Sequence, residues 1–345
     1  MISIRALADE VGYSFSTVSR ALKDDPAIKA STRDKIHEAA NRLGYRPNAL
    51  VRGVTGRHSC MIAMIISSLN NGGLARQVSH TSDFLRAKGY PLIILNSDND
   101  PVQERDCFHL AVDYRVAGVI LNGAVLDSSA SHFAQLINSN IPFVITKEYS
   151  PQLNVPHVYR HDREAIEQVV AEAVALGHRH FAHIAGPKES LKNSVRLQAY
   201  RMALSKMGFP LSEDAIYTSE WSSESAEHAT LRLLGEKPQT TFIFAANDVV
   251  AAGVYRACYR THRRIPDDIS VLGSGNQDIG KSLYPSLCTL DPKLKEIAIA
   301  SCNLLFEMIN QPSFSYANSD PSSVTIPGAY LPRQSIGPVK AAQTV

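Results

Sequence analysis

The residues with the clearest potential for chemistry lie near the N-terminus, on a short stretch with helical spacing. Val18, Ala21 and Leu22 form its apolar inner face. The outer face carries small hydroxyls, one ring and one guanidinium: Phe15, Ser16, Thr17, Ser19 and Arg20. Short hydroxyls approach base edges or phosphates in the major groove of DNA, and an Arg binds guanine through two hydrogen bonds. The face therefore suits DNA reading, although the local pattern fits an ordinary helix pair in a small core equally well.

A preceding helix and a tight turn would position this outer face. The apolar residues of the first helix recur at helical spacing: Ile4, Leu7, Ala8 and Val11. Ser3 is expected to cap its start, Gly12 to break its end, and Ser14 to cap the second helix. Together they predict a helix-turn-helix with the second helix as reader. A third helix is predicted over 28–43, capped by Ser31. Its apolar side would be Ile36, Ala39, Ala40 and Leu43.

The charge distribution agrees with a DNA-binding head. Residues 1–60 contain ten Lys or Arg and six Asp or Glu, whereas the net charge of all 345 residues is only +2. The head is therefore +4 and the remainder −2. A modest positive excess on a small head suits contact with phosphates, although solvated surfaces often carry a similar imbalance.

Composition places the chain among globular proteins of the cytoplasm. The hydrophobic fraction is 44% and the charged fraction 20%. No apolar run is long enough to span a membrane, and no signal peptide is expected. The five cysteines are odd in number and scattered without a CxxC pair, which predicts small core residues in a reducing compartment.

After Ser59 the sequence alternates apolar strands with amphipathic helices, which predicts parallel sheets covered on both faces. The strands are expected at 60–69, 91–97, 117–123, 142–148, 180–186, 216–221, 241–247 and 269–275. The intervening helices are expected to run to residue 88 and over 101–115, 128–139, 162–176, 193–207, 222–235 and 248–262. The unit restarts after Gly177, so two similar α/β lobes with a cleft between them are predicted. Ligands of such sheets bind beyond the carboxyl ends of the strands.

Several side chains at predicted strand ends could bind a small molecule. Trp221, the only tryptophan, could stack on a sugar or base, or lie at the core edge. Asp248 is expected as a helix N-cap beside Asn247. A metal site is not expected at His178, His180 and His183, because no Cys or carboxylate set surrounds them. Catalytic motifs and cofactor loops are likewise missing from the sequence.

Three stretches match a known family. They are TVSRAL at 17–22, LGYRPN at 43–48, and Arg52 in the segment that follows. With them the chain resembles the lactose/galactose-repressor (LacI/GalR) family of bacterial transcription regulators along nearly its whole length. The resemblance implies DNA contacts from Ser3 and the reading helix, and from Asn48 and Arg52 in a hinge that folds on DNA. Val54 stands where the family usually places a Leu wedge for the minor groove.

The same resemblance implies a periplasmic-binding-protein-like core with crossovers between the lobes near residues 160, 290 and 325. It also implies effector-binding residues in the cleft, namely Leu74, Lys192, Arg196, Trp221, Asn247, Asp248 and Asn276. The family usually has an Asp where Gly275 stands. The cations Lys192 and Arg196, together with the absence of a carboxylate at Gly275, favour a sugar acid or sugar phosphate over a neutral sugar. A neutral mono- or disaccharide is the alternative if Lys192 faces water.

The sequence therefore predicts an α/β protein with an N-terminal helix-turn-helix head and a two-lobed core of parallel sheets. The expected domains are a head at 1–47, a hinge at 48–59, a core at 60–337 and a flexible tail at 338–345. The expected function is repression of a carbohydrate-utilisation operon by a homodimer that binds a pseudopalindromic double-stranded operator and a small effector. No cofactor, metal, membrane contact or catalysis is expected. The alternatives are a sugar-binding transport component and a Rossmann-type enzyme.

Overall fold

The structure is a computed structural model that describes residues 2–22, 24–45, 59–68, 72–122, 133–146, 155–188, 194–311, 314–316 and 322–339. The chain divides into two compact units, Met1–Cys60 and Met61–Val345. Within the described residues, no helix is long and apolar enough to cross a membrane.

The first unit contains three helices, α1 (Ile4–Val11), α2 (Phe15–Ala21) and α3 (Ala30–Arg42). The Ser3 side chain accepts from the Ala6 N–H, and the Ser14 side chain from the Thr17 N–H, so both predicted N-caps are confirmed. Gly12 ends α1 with φ 70°, a left-handed conformation that costs glycine little. The prediction for Ser31 was wrong. Ser31 is the second residue of α3, and the N-cap Lys29 forms no side-chain capping bond.

The three helices bury one small core. Leu7, Val18, Ala21 and Ile36 are fully buried, as the apolar spacing predicts. Ile4, Leu22 and Leu43 pack at its edge as partly buried side chains. Because all the predicted apolar positions face this core, the opposite face of α2 is left to solvent.

The second unit has two six-stranded sheets. The strands of the first sheet are β1 (Ile62–Ile66), β2 (Leu92–Asn96), β3 (Gly118–Asn122), β4 (Phe143–Ile145), β5 (His157–His161) and β11 (Ser323–Pro327). Their spatial order is β11-β5-β4-β3-β1-β2, and every pair is parallel. Its faces are covered by α4 (Gly72–Ala87), α5 (Pro101–Asp113), the helical residues 133–138 and α11 (Leu294–Asn310). These elements form the first lobe.

The second lobe is built in the same way. Its strands are β6 (Phe181–Ala185), β7 (Ile216–Thr218), β8 (Phe242–Ala245), β9 (Ser270–Ser274), β10 (Cys288–Asp291) and β12 (Ala329–Leu331). Their order is β12-β10-β9-β8-β6-β7, and only β12 is antiparallel to its neighbour. Its helices are α6 (Arg163–Ala175), α7 (Val195–Lys206), α8 (Ser223–Glu236), α9 (Asp248–Arg260) and α10 (Asp278–Ser282). The predicted pair of α/β lobes is confirmed.

The chain passes between the lobes three times: after β5, after β10 and between β11 and β12. The crossovers lie close together. A Cβ built on Gly328 would come within 2.1 Å of the Asp162 Oδ1 and 3.4 Å of the Asp291 carbonyl oxygen. Only a residue without a side chain lets the three segments pack this closely. The crossovers expected near 160, 290 and 325 therefore form one junction.

Three details differ from the sequence expectations. The strand predicted at 216–221 ends at Thr218, which leaves Trp221 in the loop before α8. The N–H of Val339 donates to the Leu176 carbonyl oxygen at 3.0 Å, so the predicted tail is tied to the core past Gly337. Cys60 is exposed rather than a core residue, whereas the other four cysteines are buried, and all five are free.

Candidate DNA-binding surface and effector cleft

The solvent face of α2 presents the side chains that the sequence singles out for DNA. Phe15 is 52% exposed, Ser16 and Arg20 are exposed, and Thr17 and Ser19 are half-buried. The Thr17 hydroxyl lies 2.9 Å from the Ser14 hydroxyl, so the N-cap also orients the first turn of the helix. The face is therefore polar and open, with one large apolar ring at its N-terminal end.

Arg20 is held by a residue that sequence reasoning missed. Its Nε donates to the Asp25 Oδ2 at 2.8 Å. Asp25 is itself fixed, because its Oδ1 accepts from the Ala27 N–H at 2.9 Å. The bond from Arg20 and the Ala27 N–H together lower the pKa of Asp25, which stays ionised. Because the pair uses Nε, the two Nη groups lie outside it, and these groups form the fork that recognises guanine.

The predicted hinge residues Asn48, Arg52 and Val54, and the predicted cation Lys192, lie outside the described residues. Ser3 is described, and its hydroxyl caps α1 as noted above.

Trp221 stands at the carboxyl edge of the second sheet. The ring packs so closely on Gly186, which follows β6, that a Cβ there would lie 2.3 Å from the indole. Glycine at 186 thus makes room for the ring. The side chain remains 49% exposed, so one part of the indole is anchored while another faces solvent. An aromatic surface held this way suits stacking on the apolar face of a small ring.

Arg196 reaches the same edge from the first turn of α7. Ser194 caps this helix by accepting from the Leu197 N–H at 3.3 Å. The Arg196 Nη1 donates to the Ser274 hydroxyl at 2.5 Å, and Ser274 is the last residue of β9. The guanidinium therefore lies across the carboxyl ends of the strands, where ligands of parallel sheets bind.

Asn247 and Asp248 have roles that differ from the sequence expectation. The N-cap of α9 is Asn247, whose side chain accepts from the Val250 N–H at 2.8 Å. Asp248 is the first helical residue and is fully buried. Its carboxylate accepts from the Thr289 hydroxyl and from the Gln277 N–H, each at 2.6 Å. Burial raises its pKa against these two stabilising bonds. Asp248 therefore supports the cleft from within the lobe.

The loop after β9 has a strained backbone. Gly275 has φ 130° and donates its N–H to the Leu290 carbonyl oxygen at 2.8 Å. An Asp here would have to adopt a conformation that L-residues avoid. Asn276 has φ 47°, and its Oδ1 accepts from the Arg333 Nη2 at 2.6 Å. The departure from the family pattern at 275 thus changes both charge and backbone.

Arg76 is a cleft residue that no sequence pattern had indicated. It lies in α4 of the first lobe, two residues after the half-buried Leu74. Its Nη1 donates to the Asn276 carbonyl oxygen at 2.7 Å, and its Nη2 donates to the carbonyl oxygen of Gly275. The side chain therefore connects the two lobes directly. Because its partners lie about 200 positions later in the chain, no local pattern could have indicated it.

Buried side-chain hydrogen bonds hold the N-terminal part of α4 against the strands of the first lobe. The Asn122 side chain donates to the Gln77 Oε1 at 2.6 Å, and the Gln77 Nε2 donates to the Thr146 hydroxyl at 3.3 Å. Asn122 ends β3 and Thr146 follows β4, so both lie at the carboxyl ends of first-lobe strands, whereas Gln77 belongs to α4. These bonds fix the helix from which Arg76 extends.

Comparison with known families identifies this architecture. Residues 3–48 match the family described as bacterial regulatory proteins, lacI family. Residues 170–336 match the periplasmic binding protein-like domain. The chain therefore carries a lacI-family DNA-binding domain, followed by a periplasmic binding protein-like domain. It is a DNA-binding transcription regulator, and the members of this family are regulators rather than enzymes.

Several known regulators align along most of the chain. Catabolite control protein A of Priestia megaterium is 27% identical, over 97% of this chain and 99% of the relative. The ribose operon repressor of Halalkalibacterium halodurans is 26% identical, over 94% and 96%. The Lac repressor dimer bound to operator and the anti-inducer ONPF is similar in structure, with a TM-score of 0.86 and 23% identity, over 97% of this chain and 98% of that one.

His178 and His183 are buried in the second lobe and form structural hydrogen bonds. His183 is buried and bonds through Nδ1 to the Phe244 carbonyl oxygen at 2.8 Å, and burial lowers its pKa to about 4. The His178 Nε2 lies 3.0 Å from the Gly337 carbonyl oxygen, whereas His180 is exposed. Within the part of the chain that the structure describes, no group of three His, Cys, Asp or Glu could hold a metal ion.

Proposed function

We propose that this regulator represses a carbohydrate-utilisation operon and that a small sugar-like effector in the cleft controls its binding to DNA. The observation that carries the proposal is the convergence of Trp221 and Arg196 on the carboxyl edge of one sheet, with Arg76 arriving from the other lobe. A stacking face and a planar hydrogen-bond donor are what a small polar ring needs for recognition. The relatives named as a ribose operon repressor and a regulator–cellobiose complex support a sugar-like ligand.

For DNA, we propose a head at 1–47 that reads one operator half-site and a hinge at 48–59 that enters the minor groove. The contacts are assigned to Ser3, Phe15, Ser16, Thr17, Ser19, Arg20, Asn48, Arg52 and Val54. The open polar face of α2 supports the reading role, because the first residues of a recognition helix face base edges. Asp25 positions the Arg20 guanidinium for this role.

Selection of bound duplexes from a random pool, followed by gel-shift titration, tests the DNA assignment. Arg20→Ala is expected to weaken the selected site about tenfold to a hundredfold and to relax preference at one base pair. Arg42→Ala is the matched control because it removes the same charge. Arg42 is exposed on α3, where its ion pair in the described structure is with Glu10. Equal losses for both variants on every sequence would assign Arg20 to phosphate contact instead.

For the effector, we propose direct contacts from Leu74, Lys192, Arg196, Trp221, Asn247 and Asn276, within a core of residues 60–337. Asp248 supports the loop that carries Asn276 and is assigned no contact of its own, because both carboxylate oxygens accept bonds within the lobe. The single tryptophan makes intrinsic fluorescence a reporter of this cleft. A sugar that changes this fluorescence and also shifts operator affinity is the expected result. A sugar that changes only the fluorescence, or only the operator affinity, would show that binding in the cleft does not control binding to DNA.

We propose a homodimer in which a second copy covers the groove between α8, α9 and α10. This groove of about 680 Å³ is lined by aromatic and apolar side chains together with the charged Glu227, Arg256 and Arg260. Tyr259 on its wall is 84% exposed and Tyr284 is 93% exposed. Exposed aromatic patches of this kind mark protein interfaces. A two-fold dimer places two heads on a pseudopalindromic operator.

The rival functions differ in one measurable property. A sugar-binding transport component would bind the sugar and no DNA, and an enzyme would convert its ligand. We propose that this chain acts in the cytoplasm on nucleoid DNA, without catalysis or a cofactor, since its family members are transcription regulators. Sequence-specific binding to duplex DNA supports this proposal against both rivals.

A further inference from the structure

Three guanidiniums surround three consecutive residues of the cleft loop. Arg196 donates to the Ser274 hydroxyl, Arg76 to the carbonyl oxygens of Gly275 and Asn276, and Arg333 to the Asn276 side chain. They come from α4 of the first lobe, from α7, and from the segment after β12. The positive charge is thus concentrated at one point by elements that are far apart in sequence.

This positive charge has little compensation nearby. Among the described residues, none of the three guanidiniums forms an ion pair with a carboxylate. Asp248 lies beneath the loop and attracts Arg76 and Arg333 at longer range, but it is fully buried and its oxygens accept from Thr289 and Gln277. Asp278 also attracts Arg76 at longer range, but it is exposed and pairs with Lys281 at 2.8 Å. Cationic groups that share a partly buried site without counter-ions repel one another, and an anionic ligand relieves that repulsion.

Two further features indicate where the anion would bind. Position 275 is a glycine, so no side-chain carboxylate occupies this part of the loop. The Arg76 Nε is buried, and the described residues provide no hydrogen-bond partner for it. A buried donor without an acceptor is uncommon in folded proteins and calls for a partner that the chain itself does not supply.

We infer that the effector is anionic, a sugar acid or a sugar phosphate, and that its charged group is bound by Arg196 of the second lobe and Arg76 of the first. The inference rests on the proposed function, because it takes the cleft as the effector site. Trp221 would stack on the carbon ring of the effector. Arg333 holds Asn276 in place and is a positioning residue. Arg76 is therefore the residue that determines specificity for the anion.

The test measures Trp221 fluorescence and melting temperature with matched sets of ligands. Each set contains a neutral sugar, its sugar acid and its phosphate, for example D-glucose, D-gluconate and D-glucose 6-phosphate, together with the ribose and galactose sets. Inorganic phosphate at constant ionic strength separates free phosphate from a sugar-linked group. The variants are Arg76→Gln, which removes the charge, and Arg76→Lys, which keeps it. The control is Arg86→Gln in the same helix, where Arg86 pairs only with the exposed Asp83.

The expected result is that one acid or phosphate binds at least tenfold more tightly than its neutral parent. Arg76→Gln should weaken that ligand about tenfold to a hundredfold, as loss of a charge-assisted hydrogen bond does. Arg76→Lys should retain part of the affinity, and Arg86→Gln should match the wild type. The affinity for the sugar acid relative to that for the sugar phosphate then shows which anionic group the cleft binds.

Two results would overturn the inference. If a neutral sugar binds tightly and Arg76→Gln does not change its affinity, the cleft remains the effector site but the effector is not anionic. The inference of an anionic effector is also wrong if no anion, including inorganic phosphate, changes the fluorescence or the melting temperature. Operator binding is measured separately by gel shift, so the loss of this inference and the loss of the proposed function are distinguishable.

Discussion

Asp248 offers a sharp test of how the cleft is built, because the sequence places it among the effector contacts while the structure encloses it. Its two carboxylate oxygens accept from the Thr289 hydroxyl and the Gln277 N–H. Asp248→Asn keeps the size but replaces one acceptor by an N–H₂ donor. The amide can turn its oxygen to the Gln277 N–H and its N–H₂ group to the Thr289 hydroxyl oxygen, but the Thr289 hydroxyl proton then loses its acceptor inside the lobe.

The expected cost follows from these two bonds. Losing a hydrogen bond to a charged group costs about 1.5–3 kcal/mol, and leaving a buried donor unpaired costs about 1–3 kcal/mol. Removing a buried charge offsets part of this, since burial raises the pKa of Asp248 and so disfavours its ionised form. We therefore expect a net loss of about 2–4 kcal/mol, or roughly 4–12 °C in Tm for a chain of this size.

The pH dependence has a defined sign. The folded pKa of Asp248 lies above the value of about 3.9 for an exposed Asp. Between these values the folded state binds more protons than the unfolded state, so the contribution of this residue declines as pH rises through the folded pKa. Asp248→Asn should lack this decline. The control is Asp278→Asn, because Lys281 lowers the pKa of the exposed Asp278 and gives its contribution the opposite slope.

Thermal melts of the three proteins between pH 4 and pH 8, with and without effector, provide the assay. Asp248→Asn should melt lower at neutral pH while its effector still raises the melting temperature. Asp278→Asn should melt close to the wild type. A variant Asp248→Asn with unchanged stability and no effector response would show that this carboxylate contacts the ligand, and the reasoning from burial would be refuted.

Three further predictions concern the loop, the hinge and the dimer. Gly275→Asp should lower stability by about 1–3 kcal/mol in thermal melts, through backbone strain at φ 130°, and should weaken anion binding; unchanged binding would contradict the charge argument. Amide exchange at 48–56 should slow when operator is added, because two glycines make an isolated helix of this length unfavourable; equal rates would contradict folding on DNA. Light scattering should give a dimer that Tyr284→Asp dissociates and Tyr114→Asp, on the exposed α5, does not; a stable tetramer would contradict the prediction.

Apolar spacing predicted the two α/β lobes and most of their elements, but not the strands β5, β10, β11 and β12 or the helices α10 and α11. Strands such as β1 and β3 are buried throughout and almost entirely apolar because both faces of each sheet are covered, and this pattern is visible in sequence. The caps of α1 and α2 were predictable because a Ser three residues before an orphan N–H acts locally. The start of α3 was not, because Lys29 begins it without a side-chain cap.

The cleft was predictable only in part, for a different physical reason. Trp221 and Arg196 follow strands, so the topology of a parallel sheet brings them to one edge. The roles of Arg76 and Asp248 depend on partners in other elements, such as Gly275 for the first and Thr289 for the second. A sequence indicates which side chains could bind a ligand, whereas tertiary contacts decide which of them are already engaged by the protein.

The position of Arg76 connects the cleft to the remainder of the molecule. It donates to the carbonyl oxygens of the loop at 275–276, and a bound effector would compete for the same guanidinium. The lobes are also joined by three crossovers that meet at Gly328. A ligand that redirects Arg76 therefore changes the free energy of one lobe arrangement relative to another, which is the differential binding that allosteric control requires.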